Sequence, residues 1–361
     1  MNPGDHRSAP DPAQSVVAWS DPERRAAFEC WLAPLVAVHV LREESLRPAS
    51  ADASFRRYLR IDTGGDGSLI VMDAPPPQED VRPFVHVASL IGAAGLHGPS
   101  VLASDVERGF LLLSDLGNAL YLDALREASA AQADGLMRDA IRALVQWQLH
   151  IPAEQLPPFT DALLERDLGL FPEWCVQREF GVAWTPAEQE RWQTICAHLV
   201  SSAQAQARVA VHRDWMPRNL MLADPNPAIL DFQDAVSGPI AYDMASLLRD
   251  AFISWDEERE IDWAVRWWQA ARATPVLAGH TFADDFGECW RALEWMGLQR
   301  HLKVLGIFCR LKHRDGKPSY SEDLPRFFAY AHKVATRYHG LGPLAHLLEP
   351  LMGTHRVDAF Y

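Results

Sequence analysis

The stretch 211-VHRDWMPRNLMLADPNPAILDFQDA-235 sets Asp214, Asn219 and Asp231 in or beside two apolar runs. A solvated surface loop has no need of that arrangement, whereas a site for metal and phosphate does. Phosphoryl transfer asks a protein to hold a polyphosphate with Mg²⁺ and to aim a hydroxyl in line at the terminal phosphorus. Mg²⁺ prefers oxygen ligands and keeps several waters, so one or two side chains suffice to hold it. If the chain loops between the apolar runs, Asp214 faces the acceptor hydroxyl while Asn219 and Asp231 reach the metal. Asn is the fitting third member, because three adjoining carboxylates would repel one another. Pro217 and Pro225 favour loop conformations and oppose a continuous helix.

The rest of the chain bounds this reading. With 361 residues it exceeds what one core usually organises, so two lobes are expected. Its formal charge of −14, from 48 acids against 34 basic residues, argues against a nucleic-acid partner. The five cysteines are scattered without a CxxC pair, which fits small buried hydrophobes in a reducing compartment better than disulfides or zinc. The polar, Pro-rich start lacks the apolar core of a signal peptide, and no apolar run nears the roughly 18 residues that cross a bilayer. A cytoplasmic protein without a membrane partner is expected, with residues 1–19 flexible.

Ser20 and Glu23 read as a capping box opening a helix whose Ala27, Phe28, Trp31 and Leu32 share a face. Phe55–Ile61 and Ser68–Met72 read as strands joined by "DTGGDG", a hairpin signal. A helix is expected from Pro83 to Ala94, then strands over Ser100–Asp105 and Gly109–Ser114. Beyond Asp115 the pattern turns helical, with a second capping box at Thr185 and Glu188 and helices over Asp256–Ala273, Phe282–Arg310 and Leu324–Tyr338. Only "RVAV" and "AIL", flanking the opening stretch, interrupt it. Strands followed by helices argue an α+β fold, with a small β-rich N-lobe over 20–114 and a larger, mostly helical C-lobe over 115–361.

"HRDWMPRN", "ILDFQD" and "GPIAYDMASLLRD" together resemble the ordered motifs of the aminoglycoside phosphotransferase and choline kinase superfamily. The resemblance implies a bilobal protein-kinase-like fold that uses ATP and Mg²⁺, with Asp214 catalytic and Asn219 and Asp231 on the metal. It makes Asp243 a brace for the catalytic loop, while His212 reads as a hydrogen-bonded scaffold. By the same likeness "SADASFRRYLRI" would cover the nucleotide phosphates through Ser54, Phe55 and Arg57. "FLLLSDLG" would be the hinge to adenine, through Leu113, Asp115 and Leu116. No Walker P-loop occurs. One departure stands out: the third strand, "SLIVMDAPP", carries Asp73 and no Lys where such kinases pair a Lys with phosphate. Arg57, Arg60 or Arg82 would then have to supply the charge, or backbone and metal alone would hold ATP.

Within the superfamily, "IVMDAPP", "LFPEWCV" and the motifs above are similar to the bacterial anomeric kinases of N-acetylmuramate and N-acetylglucosamine in cell-wall recycling. This likeness implies phosphorylation of a sugar C1 hydroxyl to an α-1-phosphate. Aromatic faces for the ring are sought in Trp215 and Trp174, and hydroxyl partners in Asp234, Glu165 and Asp167. Arg178 or Arg249 would meet a lactyl carboxylate. Two alternatives stay open: a kinase for another small hydroxyl compound such as an aminoglycoside, choline or homoserine, and a nucleotide-binding pseudokinase.

Overall fold

The computed structural model describes residues 17–50 and 55–353. Residues 1–16, most of the N-terminal stretch expected to be flexible, and Ser54 lie outside the described residues. The chain divides into two compact units, one holding residues up to Ala93 with His97–Asn118 and the other Ala94–Leu96 with the residues from Ala119 onward.

The smaller unit opens with α1 (Pro22–His39). Its N-cap is Asp21, one residue beyond the expected Ser20: Asp21 Oδ1 accepts from the N–H groups of Glu23 and Arg24. Pro22 takes the first helical position, where a missing N–H costs nothing. Five antiparallel strands follow, β1 (Leu41–Ser50), β2 (Arg57–Thr63), β3 (Ser68–Asp73), β4 (Val101–Asp105) and β5 (Phe110–Ser114), in the spatial order β1-β2-β3-β5-β4. Between β3 and β4 runs α2 (Arg82–Ala93), with Phe84, Val87, Leu90 and Ile91 buried. The "DTGGDG" turn closes the β2–β3 hairpin, Asp62 pairing with Ser68. Phe28 and Leu32 of α1 pack on Leu59, Ile61, Val71, Phe110 and Leu112 of the sheet.

Strand β1 escapes a reading by periodicity. It is an edge strand carrying Arg42, Glu43, Glu44 and Arg47, and its pairing with β2 is interrupted by register shifts. Charge and irregular pairing are the usual means by which an edge avoids adding a further strand.

In the larger unit α3 (Tyr121–Glu127), α4 (Ala130–His150) and α5 (Asp161–Leu170) come first. The chain then continues from α5 into a π-helix, Phe171–Glu179, that no periodicity announced. Next are α6 (Pro186–Gln204), opened by the expected Thr185–Glu188 capping box, and four short strands, β6 (Arg208–Val211), β7 (Leu220–Met221), β8 (Ala228–Ile229) and β9 (Val236–Pro239). They pair antiparallel as β6 with β9 and β7 with β8. The unit is completed by α7 (Ala241–Leu248), α8 (Glu257–Arg272), α9 (Phe286–Asp315), α10 (Leu324–Arg337) and α11 (Gly342–Met352). The 30-residue α9 is the axis of the unit, packing against α5, α6, α7, α10 and the π-helix. No helix among the described residues is long and apolar enough to cross a membrane.

The approach of α9 to the end of α5 leaves no room for a side chain. A Cβ on Gly306 would lie 2.4 Å from the Leu170 carbonyl carbon and 2.5 Å from its oxygen, backbone that cannot swing aside. Gly306→Ala should therefore cost about 1–3 kcal/mol or more through overpacking. Urea denaturation of this variant against wild type checks it, and an unchanged midpoint would show that the two helices can separate freely.

Candidate active site

Each of the three residues singled out in the opening stretch stands beside one of the short strand pairs. β6 ends at Val211, and the chain turns through His212, Arg213 and Asp214. Pro217–Asn219 forms a 3₁₀ turn into β7, β8 returns, and Asp231 follows it. Asn219 binds both other residues: its Nδ2 donates to the Asp214 carbonyl at 3.0 Å and lies 3.5 Å from Asp231 Oδ2. Its backbone oxygen accepts from Leu230 N–H at 2.9 Å, tying the two limbs together. With Nδ2 held to a carbonyl, the amide oxygen is the end left for a ligand. Asp231 is exposed, its Oδ1 accepting from Gln233 Nε2 at 2.9 Å.

This loop is strained. Arg213 has φ of +78° and Asp231 φ of +60°, left-handed conformations that side chains other than Gly seldom adopt. Asp243, fully buried in the first turn of α7, holds the first of them in place. Its Oδ2 accepts from His212 N–H at 2.7 Å and its Oδ1 from Arg213 N–H at 2.9 Å. Burial pushes the Asp243 carboxyl up to about 7, against the pull of those two donors. His212 Nε2 lies 2.9 Å from the Leu230 carbonyl, and its Nδ1 accepts from Asp214 N–H at 3.3 Å. That pattern defines a neutral ring with the proton on Nε2, and burial lowers its pKa accordingly.

Asp214 has a side chain 38 % exposed, so its carboxylate opens to solvent while cations gather behind it. Desolvation opposes its charge, yet Lys303, Arg300 and Arg213 together hold its carboxyl below the usual range. Arg300 Nη2 lies 3.6 Å from Asp214 Oδ1. Lys303 Nζ lies 3.5 Å from Asp167 Oδ2, and Arg213 Nη2 3.4 Å from the same oxygen. Arg213, Arg300 and Lys303 escaped the sequence reading. The signal for the last two was present in Gln299, Arg300, His301 and Lys303, a polar run that interrupts the apolar face of α9 and is buried throughout.

Several expected acceptor contacts are corrected by burial. Trp215 offers no face to a sugar: it is fully buried, its ring 5.8 Å from Trp147 and 5.6 Å from His212. Arg249 is 1 % exposed and bonded to Glu260 at 3.0 Å and Glu294 at 2.9 Å, so no carboxylate from outside can reach it. Asp167 is likewise buried, engaged by Arg213 and Lys303 instead of a hydroxyl. Trp174 and Arg178 stack on each other on the π-helix, guanidinium 5.4 Å from the ring. Glu165 is exposed on α5, its charge acting on Cys196 of α6. Asp234 is exposed between Asp231 and β9, close enough for its charge to act on His212 and Arg213.

The small unit also revises its expectations. Leu113 lies inside the sheet, flanked by Ile70 of β3 and Val101 of β4, so the chain is clear of the ladder only from Asp115 and Leu116 onward. Asp115 accepts from Arg60 Nε and Nη2 and from Ser68 Oγ. Arg57 is paired with Asp73, which also receives Arg24, and Arg82 is paired with Asp80. The three arginines offered as substitutes for a third-strand Lys are thus each engaged by a carboxylate. Phe55 is 69 % exposed.

The profile of the phosphotransferase enzyme family matches residues 45–286. A curated relative from Pseudomonas aeruginosa, the N-acetylmuramate/N-acetylglucosamine kinase, is 49 % identical over 92 % of this chain and 98 % of its own. One of the same name from Neisseria meningitidis is 42 % identical over 93 % and 98 %. Among solved structures, an ethanolamine kinase of Plasmodium vivax superposes with a TM-score of 0.60 at 8 % identity, covering 84 % of this chain and 85 % of that one. The ADP-bound aminoglycoside phosphotransferase APH(2'')-Ib gives 0.55 at 15 % identity, covering 85 % and 96 %. These structural likenesses speak for the kinase-like α+β fold alone.

The upward shift of Asp243 carries a sign. A carboxyl that holds its proton more tightly when folded contributes stability at low pH that is lost as pH rises from about 4 to about 7. Asp243→Asn removes that dependence. The stability advantage of wild type over the variant should therefore shrink by on the order of 3 kcal/mol across this window. Urea denaturation at a series of pH values measures it, and a pH-independent difference would mean that the two N–H donors keep Asp243 ionised.

Proposed function

Because the chain belongs to the phosphotransferase enzyme family, we propose that it is a sugar kinase moving the terminal phosphoryl group of ATP to the C1 hydroxyl of N-acetylmuramate or N-acetylglucosamine. The observation that carries this reading is the convergence of Asp214, Asn219 and Asp231 on one loop, in a chain that shares about half its residues with a kinase of those sugars along nearly its full length. ATP as donor places the reaction in the cytoplasm, and the product would serve amino-sugar salvage in cell-wall recycling.

The geometry supports the following roles. Asp214 accepts the proton of the acceptor hydroxyl as the oxygen attacks phosphorus. The surrounding cations keep it ionised well below neutral pH, so it is ready to accept a hydrogen bond from the hydroxyl and to aim it. Asn219 and Asp231 form a hard oxygen-donor pair suited to Mg²⁺, one neutral and one charged. Among the described residues no cluster of three or more His, Cys, Asp or Glu is arranged to hold a metal, so water and phosphate oxygens would complete the shell. When bound, the ion supplies charge neutralisation for the phosphates. His212 takes no proton: its two nitrogens are occupied in keeping Asp214 and Leu230 in register.

Asp214→Asn should lower kcat by about a hundredfold or more with little change in the KM for ATP. Asn219→Ala should instead shift the Mg²⁺ dependence of turnover to higher concentration. Coupled ADP release with N-acetylglucosamine reads both. Asp214→Asn retaining wild-type kcat would remove Asp214 from the chemistry.

A further inference from the structure

The candidate loop hides nearly all of its side chains. From Trp215 to Met221 every residue is buried except Met216, half-buried, and Arg218, which is exposed. Arg218 is the middle residue of the 3₁₀ turn Pro217–Asn219, between the candidate base and the candidate metal ligand. Among the described residues no carboxylate pairs with it. Its guanidinium lies instead over the Phe252 ring, 5.0 Å from the centroid. Such stacking gives a long side chain a fixed place without neutralising its charge. Phe252 is itself held near α10, where Arg326 Nη1 donates to the Ala251 carbonyl at 2.5 Å.

The turn sends Arg218 away from the metal pair. Three residues complete a turn of 3₁₀ helix, so adjacent side chains diverge by about 120°. Asn219 Nδ2 faces the Asp214 carbonyl and Asp231, a direction that Arg218 does not share. Phe252, which Arg218 lies against, follows shortly after Asp250, beside Arg300. Burial pushes the Asp250 carboxyl up to about 6, while Arg300 and, more weakly, Arg218 draw it back. Arg300 in turn stands 3.6 Å from Asp214 Oδ1. Both guanidinium groups thus border the flank of Asp214 that faces away from the metal pair, from which an acceptor approaches the base.

A fixed, exposed and unpaired guanidinium recognises an anion. The proposed reaction offers two kinds: the phosphates of ATP, and the lactyl carboxylate that N-acetylmuramate carries and N-acetylglucosamine lacks. The phosphates belong with the metal, on the side that Asn219 and Asp231 face, so the carboxylate remains. No neighbouring cation can serve in its place. Arg300 and Lys303 are buried against Asp214 and Asp167, and the Arg213 side chain, 15 % exposed, is turned to Asp167 as well. Without such a charge, a chain of net charge −14 would repel an anionic acceptor. Of the two arginines expected to meet this carboxylate, Arg249 is closed in its own network, and Arg178 belongs to the π-helix, not to the loop of Asp214. We propose that Arg218 is the specificity-determining residue for N-acetylmuramate, donating to its lactyl carboxylate while Asp214 takes the C1 proton. The proposal rests on the sugar-kinase reading above and adds how the site distinguishes its two acceptors.

The test measures kcat/KM for N-acetylmuramate, its lactyl methylamide and N-acetylglucosamine, and the KM for ATP, in the full-length wild type, Arg218→Gln and Arg218→Lys. Dividing the values for two sugars within one preparation cancels any loss of folded enzyme, which a merely structural role would impose equally on every acceptor. Arg218→Gln should lose about fivefold or more of the wild-type ratio of N-acetylmuramate to N-acetylglucosamine, with the KM for ATP unchanged. Arg218→Lys, which keeps the charge, should retain about half of that ratio or more. Wild type should favour the acid over its methylamide by about fivefold, and Arg218→Gln should not. A ratio within about twofold of wild type in Arg218→Gln, a raised KM for ATP in its place, or a wild type that takes N-acetylglucosamine alone would overturn the assignment. Failure of wild type to phosphorylate either sugar with ATP would instead overturn the sugar-kinase reading, and this inference with it.

Discussion

The site depends on one carboxylate that never meets substrate. Asp243 grips two successive backbone N–H groups and so holds a non-glycine residue, Arg213, in a left-handed conformation. Left alone, that backbone would relax at a gain of about 1–3 kcal/mol, and Asp214, the next residue, would turn with it. The clamp works because α7 begins immediately after β9, and β9 is paired to β6, which leads into the strained turn. Sheet pairing and helix start thereby bring acid and amides together from residues about thirty apart. His212 completes the brace from the other side, bonded to Leu230 and to the Asp214 amide.

A second constraint is electrical. The chain carries a net charge of −14, and the opening stretch is itself acidic, yet Asp214 stays ionised because α9 places Arg300 and Lys303 behind it. The small unit shows the opposite arrangement. Where kinases of the family it resembles carry a Lys, Asp73 is buried at 1 % exposure and receives Arg24 and Arg57. Asp73 anchors α1 and β2 to β3, and a positive charge for phosphate is not to be sought on that strand.

How much of this was legible follows the reach of local signals. The hairpin at Asp62–Gly67, the Thr185–Glu188 cap and the apolar runs flanking the opening stretch are written in adjacent residues, and periodicity finds them. β1 was not, because an edge strand is selected for charge instead of alternation. The π-helix was not, because its register answers to α9, where Gly306 meets Leu170. Asp214, Asn219 and Asp231 were visible through their spacing. The roles offered to Trp215, Arg249 and Asp167 failed for a common reason: large or charged side chains near a motif are as apt to build its foundation as its surface, and only burial distinguishes the two.

The foundation explains how Arg300 is held within reach of Asp214. Arg249 bonds Glu260 of α8 and Glu294 of α9, while Glu294 also receives Arg337 of α10 and the Tyr338 hydroxyl. Replaced by apolar side chains of equal volume, such a network would cost the fold little, but apolar packing tolerates sliding, whereas directed ion pairs admit one register. Glu294 lies six residues before Arg300 on the same rigid helix, and Arg249 immediately precedes Asp250. The network therefore fixes, through the helix it shares with Arg300, the position of that guanidinium against the Asp214 carboxylate.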